Sequence, residues 1–516
     1  MPNDDYDGQE SSAPALDDDS GPRTPWMPIV LFVVVVVIGI AAGGGIIGYR
    51  LNDSIESCGE SSSSGKALWQ QLSLPGMVSY LQSLQEIAIR NGGTRSITST
   101  GFNASLQYVK KQLEDNTDLI LTVQPFSLNV SVSLTPASLS MVEPQQIDYA
   151  TKDFTVIEYS GSSDLAARLI PAANFGCQPR DYPTSTTGKI SLVSRGGCLF
   201  FEKVDNAIKA GARGVLIFNY PDEPGPVASS TLFKPYSIAV FTIPFSLGQQ
   251  LLQDANAFIH MSYQSKVIAV YTSNLIAETR LGDPNTVVTI GSSLDSSENG
   301  PGMNENGSGS SANLQMALQF GTVVKKPANK VRFLWYGAEQ AGAVGTSFYI
   351  NSLSSAERNQ IALNLNFDMI GSPNYIRTIL NETETSGGLA IVKTFAEFFD
   401  INHLSYKISP PASGAVLTPF SAFGIPSGGI DTGSVIVKTR EDRDRFGGLV
   451  GIPYDPCFLQ PCDTLENVNK DVLLETAQAA AFALERFANT GNLPQLLTHV
   501  DAAPPPASFS EASFSF

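Results

Sequence analysis

Four acidic side chains stand where predicted strands end or where a connecting loop is rich in glycine. Asp295 follows the apolar run "VVTIGSSL", Glu339 ends "VRFLWYGA", and Asp368 ends "IALNLNF". Glu305 lies in the loop "GPGMNENGSG". Because the carboxyl ends of parallel strands meet at one edge of a sheet, we expect these carboxylates to converge in one crevice.

Such a cluster restricts the chemistry of the site. Like charges are costly to bring together unless a cation or shared protons compensate them. The pattern therefore predicts a divalent metal site that supports hydrolysis. The alternative is that each acid only caps a helix or a turn.

Five segments, in order along the chain, resemble the motifs of the M28 zinc aminopeptidases. They are "GSSLDS", "GPGMNENGSG", "WYGAEQAGAVGTSFYI", "NLNFDMIGSPN" and "GIPYDPCFLQPCDTLENVN". The upstream segment "GKISLVSRGGCLFFEKVDNAIKAGARGVLIFNY" resembles a protease-associated (PA) domain inserted into that fold. The resemblance covers residues 66 to 490 and implies an α/β fold, in which helices sandwich a mostly parallel sheet.

The resemblance also implies roles for the four acids. Glu339 matches the family's general base, and Asp368 matches an Asp that binds metal. Glu305 stands where the family has the Asp that bridges two metals, so it is longer by one methylene. Asp295 matches the Asp of the family's His-x-Asp motif and is expected to support the site.

Three further ligand positions depart from the family pattern. Ser293 and Leu459 replace two His ligands, one for each metal, and Gln340 replaces the Glu beside the general base. Zinc prefers imidazole or thiolate ligands together with carboxylates, and leucine cannot bind a metal. These substitutions predict a site without a cofactor, in a catalytically inactive ectodomain that serves binding or scaffolding.

Two alternatives stay open. In the first, the chain is an active zinc-dependent aminopeptidase with unusual metal ligands, which cleaves N-terminal residues from peptides. Calcium is a further candidate cofactor, because a hard cation binds oxygen ligands. The three histidines, His260, His403 and His499, lie far from the motifs in sequence, although a fold could bring His403 closer.

Strands and helices alternate after about residue 266, which predicts a mostly parallel sheet covered on both faces. Helical periodicity is expected between Leu68 and Glu114. Short strands with one helix, near Lys203–Ala212, make up the β-rich PA region. The predicted division is an M28-like first part over 67–139, a PA domain over 140–262, an M28-like main part over 263–490 and a Pro/Ser-rich tail over 491–516.

Composition excludes one class of partner. The 516 residues are long enough for two or three domains, and 16% charged with 42% hydrophobic residues is typical of a folded protein. The net charge of −17 disfavours nucleic acid, because no basic face is available to neutralise phosphates.

An uncharged segment of 21 residues, Ile29–Tyr49, is long enough to span a bilayer as a helix. The residues before it are acidic, unlike the basic start of a cleavable signal peptide. We therefore expect a disordered cytoplasmic tail over 1–28, a transmembrane signal anchor over 29–49 and a stalk over 50–66. The chain would be a single-pass type II membrane protein with a luminal or extracellular ectodomain.

All five cysteines lie beyond this span, as an oxidising compartment would allow. Cys177 with Cys198 and Cys457 with Cys462 could form disulfides, while Cys58 could link two chains or stay a free or lipidated thiol. The other expected partner is a peptide or protein ligand of the PA and M28-like domains. Glycosylation sequons lie at Asn52, Asn103, Asn129 and Asn381, with Asn306 a weaker candidate because the family motif itself creates it.

Overall fold

The computed structural model describes residues 66–498, except 224, 228–229, 233, 255, 382–384 and 411–416. Within this described part, none of the helices combines the length and the apolar character needed to cross a bilayer. The predicted anchor over 29–49 lies outside the described residues, as do Asn52 and Cys58. The expectations that rest on them stay predictions.

Strands and helices are numbered along the chain. The strands are β1 (Ile120–Glu143), β2 (Ile147–Asp148), β3 (Thr155–Val156), β4 (Ser163–Pro171), β5 (Ile190–Ser194), β6 (Gly214–Phe218), β7 (Ala239–Ile243), β8 (Phe258–Glu278), β9 (Asp283–Ser293), β10 (Asn329–Tyr336), β11 (Ile361–Phe367), β12 (Thr378–Asn381), β13 (Lys407–Ser409) and β14 (Ser427–Asp431). The helices are α1 (Leu68–Gln71), α2 (Leu74–Arg90), α3 (Thr100–Asn116), α4 (Phe200–Lys209), α5 (Phe245–Gln253), α6 (Gly309–Val323), α7 (Val344–Ser352), α8 (Ser355–Gln360), α9 (Ser386–Ile401), α10 (Thr418–Ser421), α11 (Arg440–Phe446), α12 (Lys470–Asn489) and α13 (Leu493–Thr498).

A mixed sheet carries the M28-like part of the chain, in the order β13, β12, β14, β11, β9, β10, β8. The central strands β14, β11, β9 and β10 run parallel to one another, whereas β12 and β8 pair antiparallel at either side. The carboxyl ends of the parallel strands therefore meet at one edge, as predicted.

Strand β10 shows why the sheet is covered on both faces. Val331, Phe333 and Trp335 enter the core beneath α2, α3, α6, α9 and α12. Leu334 and Tyr336 point the other way, into a smaller core with α7 and α10. Because successive side chains of a strand alternate between faces, the continuous apolar run over residues 333–336 must be buried on both.

One long ribbon joins the two parts of the molecule. Strand β1 pairs with β8 in an antiparallel register from Ile120↔Glu278 to Glu143↔Phe258. On its other edge, β8 pairs first with β4 and then, near its end, with β10. The same strand therefore belongs to the PA-like sheet and to the M28-like sheet. The sequence predicted a strand only around "LILTVQPFSL".

The PA-like part has its own small sheet. Strands β4, β5, β6 and β7 are parallel neighbours, and β3 pairs antiparallel with β7 at the edge. Helix α4 crosses from β5 to β6, and α5 follows β7. The helix predicted near Lys203–Ala212 corresponds to α4, which begins and ends about three residues earlier. Gly211 then adopts a φ of +86° in the turn that leads to β6.

Both predicted disulfides are confirmed, with S–S distances of 2.08 Å for Cys177–Cys198 and for Cys457–Cys462. The C-terminal region was expected to be a loose Pro/Ser-rich tail from residue 491, but helix α13 lies inside this tail. Leu493 is fully buried and Leu497 nearly so, and both join the main core.

The described sequons differ in accessibility. Asn103 on α3 and Asn129 on β1 are exposed, so both are open to a glycan. Asn381 is half-buried at the end of β12. Asn306 is fully buried and its side-chain amide donates to Ser293 and to the Phe367 carbonyl, which excludes glycosylation of the folded protein there. Whether any of these sites carries a glycan stays a prediction.

Candidate active site

Asp295 stands just beyond β9 and fixes the turn that follows β10. Its Oδ1 accepts the backbone N–H of Glu339 at 3.0 Å, and its Oδ2 accepts that of Gln340 at 3.2 Å. Burial raises the pKa of Asp295 to about 6, although these hydrogen bonds oppose the shift. The predicted supporting role of Asp295 thus takes a definite form, the shaping of the turn that carries Glu339.

The turn itself leads directly into α7. The carbonyl of Glu339 accepts the backbone N–H groups of Gly342 and Ala343, both at 2.8 Å. Ala338 and Ala343 adopt φ values of +60° and +55°, which are unusual for residues other than glycine. This tight backbone presents Glu339 and Gln340 side by side at the sheet edge.

Gln340 connects two of the acids. Its Nε2 donates to Oε1 of Glu305 at 2.8 Å and to Oε2 of Glu339 at 3.0 Å. Both N–H groups of the amide are thereby directed at carboxylates. Two of the predicted site residues, Glu305 and Glu339, are therefore joined through one of the three residues that depart from the family pattern.

The loop that presents Glu305 is held from beneath by Asp463. The two oxygens of this carboxylate accept the backbone N–H groups of Asn304 and Glu305, at 2.8 and 3.0 Å. The amide of Asn306 ties the next residue to Ser293 and Phe367. Asp463 follows Cys462 in the sequence, so the Cys457–Cys462 disulfide anchors the same region.

The acids of the cluster repel one another. The pKa of Glu305 is raised well above its ordinary value, first by burial and then by the charges of Asp368, Glu339 and Asp463. The pKa of Glu339 is likewise raised well above its ordinary value by burial, Asp368 and Asp295. Burial raises the pKa of Asp368 to about 6, while a hydrogen bond with Glu305 lowers it. The predicted convergence of the four acids is therefore observed.

Asp368 keeps one buried carboxylate oxygen, Oδ1, without a hydrogen-bond partner. An unpartnered carboxylate oxygen is costly in a buried place. Glu339, Gln340 and Asp368 retain some accessible surface, whereas Glu305 is only 5% exposed. A ligand would therefore meet Glu339 and Asp368 at the mouth of the crevice.

The remaining expected ligand positions are filled by side chains that bind no metal well. The hydroxyl of Ser293 accepts a hydrogen bond from Asn306 at 3.1 Å, and the apolar side chain of Leu459 is 8% exposed. Of the two described histidines, His260 pairs with Asp164 in the PA-like part, and His403 is exposed after α9. The fold does not bring His403 into the crevice.

The side chains at this site do not form the set of zinc ligands that the resemblance implies. Among the described residues, no three His, Cys, Asp or Glu side chains are arranged to hold a metal ion. Gln340 presents N–H groups to the acids, and the oxygens of Glu305 and Asp368 lack the imidazole or thiolate companions that zinc favours.

Three residues of this region were not predicted from the sequence. Asp431 ends β14, and burial together with Asp368 raises its pKa to about 7. It follows the apolar run "GGI" and therefore carries the same strand-end signal as Asp368. Asp463 and the fully buried Arg95 act from loops, where no periodicity marks them.

Comparison with known proteins bears directly on these residues. The model of peptidase family M28 matches residues 274–484, and the PA domain model matches residues 165–251. A protein of Pseudomonas aeruginosa named aminopeptidase is 35% identical over 432 residues, which cover 80% of each chain. A protein of Aspergillus fumigatus named probable leucine aminopeptidase 2 is 35% identical over 356 residues, covering 67% of this chain and 71% of its own.

Solved structures share the fold. An aminopeptidase from Aneurinibacillus sp. strain AM-1 has a TM-score of 0.66 at 22% identity, covering 84% of this chain and 98% of its own. A zinc aminopeptidase from Bacillus subtilis has a TM-score of 0.60 at 22% identity, covering 81% and 96%.

These relatives contradict two expectations drawn from the replaced ligands. The inactive binding or scaffolding ectodomain is wrong as the main interpretation, because relatives of 35% identity over most of the chain are named aminopeptidases. The expectation of no cofactor is also contradicted, since a protein of the same fold is named a zinc aminopeptidase. Both expectations followed from the three substitutions and gave too little weight to the four acids that the site keeps.

The retained frame consists of Asp295, Glu305, Glu339 and Asp368, brought together at one sheet edge. It coincides with sequence identity over most of the chain and with the fold of solved aminopeptidases. The chain belongs to peptidase family M28 and carries an inserted PA domain.

Proposed function

We propose that this protein is an aminopeptidase that hydrolyses the peptide bond after the N-terminal residue of peptides. The observation that carries the proposal is the Glu339 turn, held by Asp295 at the edge of the sheet, in a chain 35% identical over 432 residues to an aminopeptidase. Sequence identity of this extent supports a shared reaction class more strongly than three substitutions oppose it.

Glu339 is the general base of the proposed reaction. Its carboxylate lies at the mouth of the crevice, and burial with neighbouring charge raises its pKa above the ordinary range. A carboxylate whose pKa lies nearer to neutrality is a better proton acceptor for water and later a proton donor to the leaving amine. Asp295 keeps this carboxylate in place through the backbone.

Glu305 and Asp368 supply negative charge beside the base. The free N-terminus of a peptide carries a positive charge, and the carboxyl groups of Glu339 and Asp368, which retain some accessible surface, are suited to accept its N–H groups. A site that binds the α-ammonium group in this way selects peptides with a free N-terminus.

Zinc is the metal to which the comparisons point, but the described side chains do not match it. The proposed roles of Glu339, Glu305 and Asp368 therefore do not involve zinc. The anchored, type II arrangement, the division into domains and the link through Cys58 remain proposals that rest on the sequence.

Hydrolysis of a fluorogenic leucine amide by the purified full chain tests the function. We expect release of leucine from the substrate with a free amine and none from the same substrate after N-acetylation. Metal analysis of the same sample reports bound zinc. Equal cleavage of both substrates would overturn exopeptidase specificity, and cleavage of neither would overturn the function.

A further inference from the structure

Arg95 lies in the connection between α2 and α3, outside the segment that the M28 model matches, yet its side chain ends beneath the site. The residue is 0% exposed. A fully buried guanidinium group requires partners for its N–H groups, because leaving them unpaired costs on the order of several kcal/mol. Those partners are backbone carbonyls of the two loops that carry Asp295 and Glu305.

The guanidinium group joins these loops directly. Its Nε donates to the Pro301 carbonyl at 2.9 Å, and its Nη2 donates to the Gly302 carbonyl at 2.7 Å. Its Nη1 donates to the carbonyl of Leu294, the residue before Asp295. One planar side chain thus fixes residues 294 and 301–302 relative to each other.

The backbone around Arg95 strengthens the same connection. The N–H of Arg95 donates to the hydroxyl of Ser296 at 2.9 Å, and that hydroxyl donates to the Gly300 carbonyl at 2.9 Å. Gly302 has a φ of +66°, and a Cβ there would lie 2.4 Å from the Glu305 carbonyl. The Glu305 loop therefore has little freedom once Arg95 is in place.

The charge of Arg95 also suits its position. Asp295, Asp463 and Glu305 each act electrostatically on the guanidinium group and favour its charged form. Burial works against them, and the pKa of Arg95 is lowered to about 10, so the group is still charged at neutral pH. It places a fixed positive charge beneath an acidic crevice.

We propose that Arg95 is a positioning residue for the aminopeptidase reaction, which holds the Asp295 and Glu305 loops in the relative placement that catalysis needs. The inference rests on the function proposed above. Arg95 does not touch the reacting atoms; it acts through the loops that present them. Misplacement of catalytic groups by about 1 Å can lower a rate by about a hundredfold.

The test compares Arg95→Lys with Arg377→Lys in the full chain. Arg377 is also buried, at 6% exposure, and its guanidinium group pairs with Glu475 of α12. We expect Arg95→Lys to lower kcat by about tenfold or more with KM changed less than threefold, because lysine cannot make all three bonds. Arg377→Lys is expected to keep kcat within about twofold, even where its melting temperature falls equally.

Hydrogen exchange gives a readout that does not depend on turnover. Arg95→Lys should speed amide exchange in peptides that cover residues 294–308, and leave β10 and β11 unchanged. If Arg95→Lys does not fold, Ser296→Ala decides, since it loosens the same connection and should lower kcat about threefold.

A wild-type kcat in Arg95→Lys and Ser296→Ala, or exchange that rises uniformly across the sheet, would overturn the assignment. An inactive wild-type chain would instead overturn the proposed function. In that case the exchange data still report whether Arg95 holds the two loops.

Discussion

At the level of single side chains, Gln340 decides how the acids of the site are balanced. Its amide donates to Glu305 and to Glu339, whose carboxyl groups both have raised pKa values. An amide is neutral, so it satisfies hydrogen bonds without neutralising charge. Gln340 therefore does not relieve the repulsion that raises these pKa values, whereas a cationic ligand would relieve it.

The substitution Gln340→Glu tests this role of the Gln340 amide. The change removes two N–H donors and adds a third carboxylate beside Glu305 and Glu339. We expect the free energy of unfolding at pH 8, without metal, to fall by about 1–3 kcal/mol. Added zinc should raise the melting temperature of the variant more than that of the wild type, because a ligand that binds only the folded state stabilises it.

Urea unfolding without metal measures the first effect, and thermal unfolding with and without zinc measures the second. Gln264→Glu, at an exposed position of β8, is the matched control and should change neither. An unchanged stability of Gln340→Glu in the absence of metal would contradict the described hydrogen bonds.

Single residues were predicted well where a strand end marks them. Asp295, Glu339 and Asp368 were found because each follows an apolar run, and Glu305 was found because it lies in a glycine-rich loop. Arg95 and Asp463 were not, since their role depends on backbone carbonyls and N–H groups that only the folded loops bring near. The three replaced ligand positions stay predictions that rest on the resemblance, and their weight for function was overestimated.

At the level of elements, the contact between α7 and the end of β10 shapes the Glu339 turn. A Cβ added at Gly345, in the first turn of α7, would lie 2.0 Å from the Gly337 carbonyl and 2.6 Å from Asn274 Oδ1. Backbone and a buried amide cannot yield easily at such distances. Only glycine lets the helix begin this close to the strand that it follows.

Gly345→Ala should therefore destabilise the protein by about 1–3 kcal/mol and lower kcat, because the turn before α7 must move. Gly321→Ala, near the end of α6, should instead stabilise it by about 0.5–1 kcal/mol, since a Cβ there meets only Asp118 Oδ1 at 3.9 Å. Thermal unfolding and steady-state kinetics on both variants measure the contrast. Equal effects of the two substitutions would contradict the packing described for α7.

Elements with a strong period were predicted from the sequence. The apolar runs of β9, β10 and β11 and the periodic helices α2 and α3 lie where expected. The full length of β1 was missed, because its outer half alternates weakly and owes its order to pairing with β8. Helix α13 was missed because its six residues are too few for a periodic signal.

At the level of the whole molecule, a pair of acids acts across the two parts of the chain. Glu158 lies in the PA-like part, and Glu298 lies in the loop after Asp295. Burial, with a smaller contribution from Glu298, raises the pKa of Glu158 to about 7, although a hydrogen bond with Thr231 opposes the shift. The acid is protonated more readily in the folded protein than in the unfolded chain.

This difference makes stability depend on pH. Below about pH 4.3 the carboxyl group is protonated in both states, so no penalty exists. As the pH rises toward 7, the folded state must bury a charge that the unfolded chain exposes, and stability is lost. Glu158→Gln should remove this loss and raise the free energy of unfolding by about 2 kcal/mol at pH 8.

The same variant should match the wild type near pH 4. Glu143→Gln, at an exposed position, should follow the wild type at both pH values. Urea titrations at pH 4 and pH 8 decide, and an equal gain of Glu158→Gln at both would contradict a titrating buried acid.

The global architecture was predicted because motif order is preserved along nearly the whole described chain. The PA insertion and the M28-like sheet follow from the segments between "GKISLVSR" and "DTLENVN". How the two parts connect was not predicted, since β8 has no sequence mark where it passes from one sheet to the other. Function required the relatives, because ligand substitutions alone indicate the opposite conclusion.

The most direct test of the proposed function is the rate of the wild type against Glu339→Gln on a dipeptide with a free N-terminus. The wild-type chain should release the N-terminal amino acid, and the variant, with unchanged melting temperature, should lose kcat by about 10²–10⁴-fold. Turnover in the variant equal to that of the wild type, or no release by the wild type, would contradict the assignment of Glu339 as the base of an aminopeptidase.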